Sequence, residues 1–65
     1  MDKIEILKAK RSGDSYIILA RMPNNKVTPW ATWVSETVTG ENRWSGRYFF
    51  ENEETDAHAD FDGRQ

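Results

Sequence analysis

Sixty-five residues, a formal net charge of −2 and no cysteine describe one domain with no disulfide framework and no thiolate metal site. A domain this small buries only about 60% of its unfolded surface, so its eight aromatic side chains, at roughly 150–250 Å² each, have to supply much of the core. No apolar run approaches the ~18 residues of a membrane span, and the opening MDKIEILKAK is charged throughout, without a signal-peptide apolar segment, so a cytoplasmic chain with no membrane partner is expected.

The first hairpin is expected at residues 3–22. Ile4 and Ile6 alternate within KIEILKAK, Arg11-Ser12-Gly13-Asp14 supplies turn residues, and YIILARM follows. A three-residue loop with Gly13 in the left-handed position would set Lys10 opposite Asp14, Ile6 opposite Ile18 and Ile4 opposite Ala20. That register gathers Ile4, Ile6, Tyr16, Ile18, Ala20 and Met22 on one face. The rival reading of residues 2–10 is a short helix, for which Ile4, Leu7 and Lys8 give a weak stripe. Pro23 to Pro29 reads as a loop, with proline at both ends and Asn24 and Asn25 between them.

A second hairpin is expected at residues 30–50, WATWVSETVTGENRWSGRYFF, which holds all three tryptophans. A Val38-Thr39-Gly40 loop would pair Thr37 with Glu41, Val34 with Trp44, Thr32 with Gly46 and Trp30 with Tyr48. One face would then carry Trp30, Thr32, Val34, Trp44, Gly46, Tyr48 and Phe50. The other would carry Ala31, Trp33, Ser35, Arg43, Ser45, Arg47 and Phe49. A loop longer or shorter by one residue exchanges Trp33 for Trp30 and Val34, while Arg43, Arg47 and Phe49 stay together. Gly46 leaves a dent where another group can approach the backbone.

A helix is expected at residues 52–62, with Asn52 as cap and Glu53, Glu54 and Asp56 in its favourable first turns. Glu54, Ala57, His58 and Phe61 form its stripe, and Gly63 ends it. So short a helix has to dock, and Phe61, its only large apolar group, is expected on the aromatic face near Gly46. The fold class is therefore α+β: a four-stranded antiparallel meander with one C-terminal helix on one face. Charge is uneven along it, +3 over residues 1–50 and −5 over residues 51–65. The acidic end reads either as a solvated helix face or as an arm for a basic partner.

Little here resembles a reaction centre. In a helix, Asp56 and Asp60 share a face while His58 points nearly the opposite way, so the three do not converge on a metal ion. Read instead as a calcium loop, His58, Asp60, Asp62 and Gly63 match the early spacing, but the distal glutamate is missing. There is no nucleophile elbow, phosphate loop or dinucleotide fingerprint. No catalytic residue, cofactor or metal is expected.

Trp33, Arg43, Arg47 and Phe49 are the candidate binding residues. A sheet covered by one helix would leave its second face open, and that face would show two aromatics between two arginines. Single-stranded nucleic acid is held in the same way, and arginine stems packed over Trp33 would account for the pattern with no partner at all.

Trp44-Ser45-Gly46-Arg47-Tyr48-Phe49, followed by Ala57, Asp60-Phe61 and Arg64, resembles a loose group of short uncharacterised bacteriophage and prophage proteins. These carry a Thr-Trp strand, which Thr32-Trp33 matches, then a Trp-Gly-x-Tyr-Phe strand and an acidic helix with Ala…Asp-Phe…Arg. Here a serine separates Trp44 from Gly46, and His58 stands where an aliphatic residue is usual. The resemblance covers residues 30–64 and rests mostly on core positions. It implies a mobile-element accessory protein, a class that includes inhibitors of host defence and host enzymes, and it transfers no functional residue. The leading expectation is a non-enzymatic module that binds or inhibits a host or phage protein. Nucleic-acid binding through the open face comes second and is expected to be weak, and an exposed edge strand equally suits a homodimer.

Overall fold

In the computed structural model, residues 4–39 and 42–64 are described. Strands β1 (Glu5–Ser12), β2 (Ser15–Arg21), β3 (Trp30–Ser35) and β4 (Arg43–Phe49) form one antiparallel sheet in the order β1-β2-β3-β4. A 3₁₀ turn, Glu51–Glu53, leads into helix α1 (Glu54–Gly63), which packs on one face of the sheet. The α+β meander is therefore as expected, and residues 5–12 are strand rather than helix. Lys3, Gly40 and Glu41, and with them the Val38–Gly40 loop and the Thr37–Glu41 pair, lie outside the described residues. No helix among the described residues is long and apolar enough to cross a membrane.

The first turn is tighter than expected. Ser12 pairs with Ser15, leaving Gly13-Asp14 as a two-residue loop, and Lys10 faces Ile17 rather than Asp14. Gly13, at φ 61°, takes the first central position, where a type II′ turn needs glycine. This register turns Lys8 and Lys10 toward the face of Ile17 and Leu19. A bulge between Ile6 and Lys8 then restores the alternation, so Ile6 pairs with Ala20. Leu7 occupies the bulge and is exposed, as is Ile4. Ile6 therefore reaches the core face expected of it through a different register, and Ile4 does not.

Apolar packing lies on both faces of the sheet. On the helix side, Ile17, Leu19 and Trp30 meet Ala57 and Phe61, with Phe49 against them. On the other side Ile18, Ala20, Met22, Ala31 and Trp33 form a second cluster, with Ile6 and Tyr16 against it. That second face is not the open surface expected from the sequence: Ile18, Ala20, Ala31 and Trp33 are all buried. Between β2 and β3, Asn25 organises the loop, its side-chain oxygen accepting from the Val27 and Thr28 backbone at 3.0 and 2.9 Å.

The helix is pinned at its entry. The Trp30 indole donates to the Glu51 carbonyl at 3.1 Å, and Arg21 lies over the Trp30 ring while pairing with Glu51 at 3.1 Å. Glu53, not Asn52, closes the first turn. Its carboxylate accepts from the Phe50 N–H at 2.8 Å, and its own N–H donates to the Phe50 carbonyl. The docking stripe of α1 is Ala57, Asp60 and Phe61, continued by Arg64 just past the helix end and rotated from the expected one toward β4. Phe61 does not lie near Gly46. It sits under Lys8 and Lys10 of β1, whose ammonium groups stand 5.9 and 4.8 Å from its ring centre.

Candidate functional site

β4 is an edge strand, and its course is set by a bulge. Val34 pairs with Trp44 and Ser35 with Arg43, as the sequence register requires. Between Thr32 and Val34 the register shifts, so Ser45 and Gly46 together oppose Trp33. Beyond the bulge, Thr32 faces Arg47, Ala31 faces Tyr48 and Trp30 faces Phe49. Ser45 takes the left-handed region, φ 56°, which costs an L-residue roughly 1–2 kcal/mol.

The bulge divides the four candidate binding residues. Arg43 and Trp33 remain on the face away from the helix, with the Arg43 guanidinium 4.6 Å from the indole centre. Arg47 and Phe49 are turned to the helix side, where Arg47 meets Asp60 and Phe49 joins the core. The expectation that Arg43, Arg47 and Phe49 share a face in either register therefore fails, because one extra residue reverses every side chain after it. Trp33 is only 1% exposed. Its Nε1 is buried without a hydrogen-bond partner among the described residues, at a cost of about 1–3 kcal/mol.

Other side chains take the surface. Trp44, Tyr48 and Phe50 are 45%, 53% and 55% exposed along β4 and its exit. Trp44 shares the helix-side face with Val34, and Tyr48 shares the opposite face with Ala31. The Tyr48 ring fills the dent at Gly46: a Cβ there would stand 3.5 Å from it.

On the helix side the bulge meets a polar junction. Asp60 Oδ2 accepts from the Thr32 hydroxyl and, at 3.0 Å, from Arg64 Nε, while Oδ1 accepts from Arg47 Nη1 at 2.9 Å. Arg64 Nη2 also donates to the Ser45 carbonyl at 2.8 Å, so the helix holds the bulge directly. Burial alone would raise the Asp60 pKa. The Thr32 and Arg64 hydrogen bonds and the charges of Arg64 and Arg47 outweigh it and hold the carboxyl below its ordinary value. An open groove of about 500 Å³ lies at this junction, with Ser45, Gly46 and Arg47 on one bank and Asp60, Gly63 and Arg64 on the other.

His58 stands 3.7 Å from Glu54 and beside the Trp30 ring. Among the described residues no three His, Asp or Glu side chains are grouped to hold a metal ion. Compared with known proteins, the chain matches no protein-family model, no curated protein and no solved structure.

Sequence reasoning missed Trp44 and Tyr48 as surface groups, and Asp60 and Arg64 as the junction. The spacing of Ala57, Asp60, Phe61 and Arg64 does describe one helical face. A charged pair within an otherwise acidic helix was the available signal. The bulge had a signal in Gly46, since a glycine inside a strand marks either a bulge or a close approach to the backbone, and only the second was read from it.

Proposed function

We propose that the chain is a small non-enzymatic protein-binding module of phage-accessory type, which binds or inhibits a host or phage protein through the β4 edge. The observation that carries this reading is the exposure of Trp44, Tyr48 and Phe50 on one edge segment, while Trp30, Trp33 and Phe61 are buried. A domain short of core gains nothing from leaving three large aromatics in water, whereas aromatics flanked by arginine are the groups that carry binding energy at protein interfaces. Arg43 and Arg47 belong to the same strand, one on each face.

The nucleic-acid reading has less support. It needs Trp33 as a stacking platform, and Trp33 is covered; it needs Arg43, Arg47, Trp33 and Phe49 on one face, and the bulge puts Arg47 and Phe49 on the other. The test replaces Trp44 and Tyr48 by serine together. A partner captured from the natural host and then purified should lose affinity for this variant by more than roughly tenfold, equivalent to about 1.4 kcal/mol, with an unchanged thermal midpoint. Undiminished binding would refute the assignment of β4 as the docking edge.

A further inference from the structure

We propose that the groove between the β4 bulge and the end of α1 is a carboxylate-binding subsite, which takes an acidic side chain of a protein segment lying along β4. The inference rests on the protein-binding reading and specifies the chemistry of the partner. Its basis is a count of donors. Asp60, the carboxylate of the groove, accepts three hydrogen bonds, from Thr32, Arg64 and Arg47. Two guanidiniums face that single acid, so the lining carries one surplus positive charge.

Arg64 has spent Nε on Asp60 and Nη2 on the Ser45 carbonyl. Among the described residues Arg47 has spent only Nη1, its side chain being 69% exposed against 13% for Asp60. Asp60 therefore acts as an anchor that holds the Arg47 fork in place while its Nε and Nη2 remain available to a second carboxylate. Fixing a guanidinium beforehand removes part of the entropy that binding would otherwise cost. The strained Ser45 is part of the same construction. The bulge re-aims Arg47 from the Arg43 face to the groove, and functional sites are where such bulges and strained residues collect. Small residues leave the space open, since a Cβ at Gly63 would meet no atom within 4 Å. A side chain, rather than a chain terminus, is the expected occupant because a segment following the β4 edge passes the groove with its backbone still running.

Arginine Nε–H resonances of the intact chain provide the test. The probe is a capped alanine–glutamate–alanine tripeptide. The controls are the glutamine analogue and an uncapped trialanine bearing only a terminal carboxylate. The glutamate probe should give a saturable shift at Arg47 Nε–H and at the Ser45 and Gly46 amides, with Arg11 and Arg21 unmoved. Arg47→Lys, which keeps the charge and removes the fork, should weaken this by roughly tenfold. Unchanged Ile18 and Met22 resonances, from the buried cluster on the other face, would confirm that the variant is folded. Equal shifts at Arg11 and Arg47, no saturation, an equal response to glutamine, or preference for the terminal carboxylate would each overturn the proposal. None of these results would touch the Trp44 and Tyr48 edge, whose own double variant reports separately.

Discussion

Asp60 couples the helix to the sheet through a single side chain, so its ionisation should be visible in stability. Because its folded pKa lies below the ordinary carboxylate value, the unfolded chain binds the proton more tightly. The stabilisation is present in full above the ordinary value of about 3.9 and is lost as pH falls through the folded pKa. Thermal midpoints measured downward from neutral pH should fall more steeply for the natural chain than for Asp60→Asn across that window. At neutral pH, Asp60→Asn should cost about 1–3 kcal/mol, because it leaves Arg64 and Thr32 with a poorer acceptor; an unchanged midpoint would mean the junction contributes nothing. At Ser45 the left-handed backbone favours glycine. Ser45→Gly should therefore raise stability by about 0.5–1 kcal/mol in denaturant unfolding, and a loss would show that the serine side chain holds the bulge.

Among the elements, α1 depends on Phe61 because Ala57 is its only other buried apolar residue. Phe61→Ala should remove roughly 3–5 kcal/mol, which rivals the stability of so small a domain, and a preserved midpoint would contradict the docking. The strands show what sequence could and could not reveal. The near-continuous apolar runs YIILARM and WATWVS marked β2 and β3 as strands, and being central and buried on both sides they do not alternate. The two edge strands each carry a bulge; at Leu7 no residue marks it, whereas in β4 Gly46 does so without fixing the register. At Leu7 the bulge offset a misjudged turn and returned Ile6 to its face. At Ser45-Gly46 it moved Arg47 and Phe49 away from Arg43 and dissolved the candidate site. The junction of Asp60, Arg64, Thr32 and Arg47 joins β3, β4 and the end of α1 through hydrogen bonds that span 13 and 28 positions, beyond the reach of any local pattern.

For the molecule as a whole, the contrast between a basic body and an acidic end is partly consumed inside the fold. Arg21 pairs with Glu51, and Arg47 pairs with Asp60. Single-stranded and duplex oligonucleotides should therefore bind no more tightly than the roughly 10⁻⁴–10⁻⁶ M of non-specific association at physiological salt, as read by fluorescence anisotropy. We propose β4 as the surface on which a protein partner docks. This is tested most directly by placing a photoreactive phenylalanine analogue at Tyr48 and, separately, at the exposed Val27, then irradiating each in host cells. The account predicts a discrete protein adduct from the Tyr48 position, competed away by unlabelled chain and not formed from Val27. No adduct at Tyr48, or the same adduct from both positions, would contradict it.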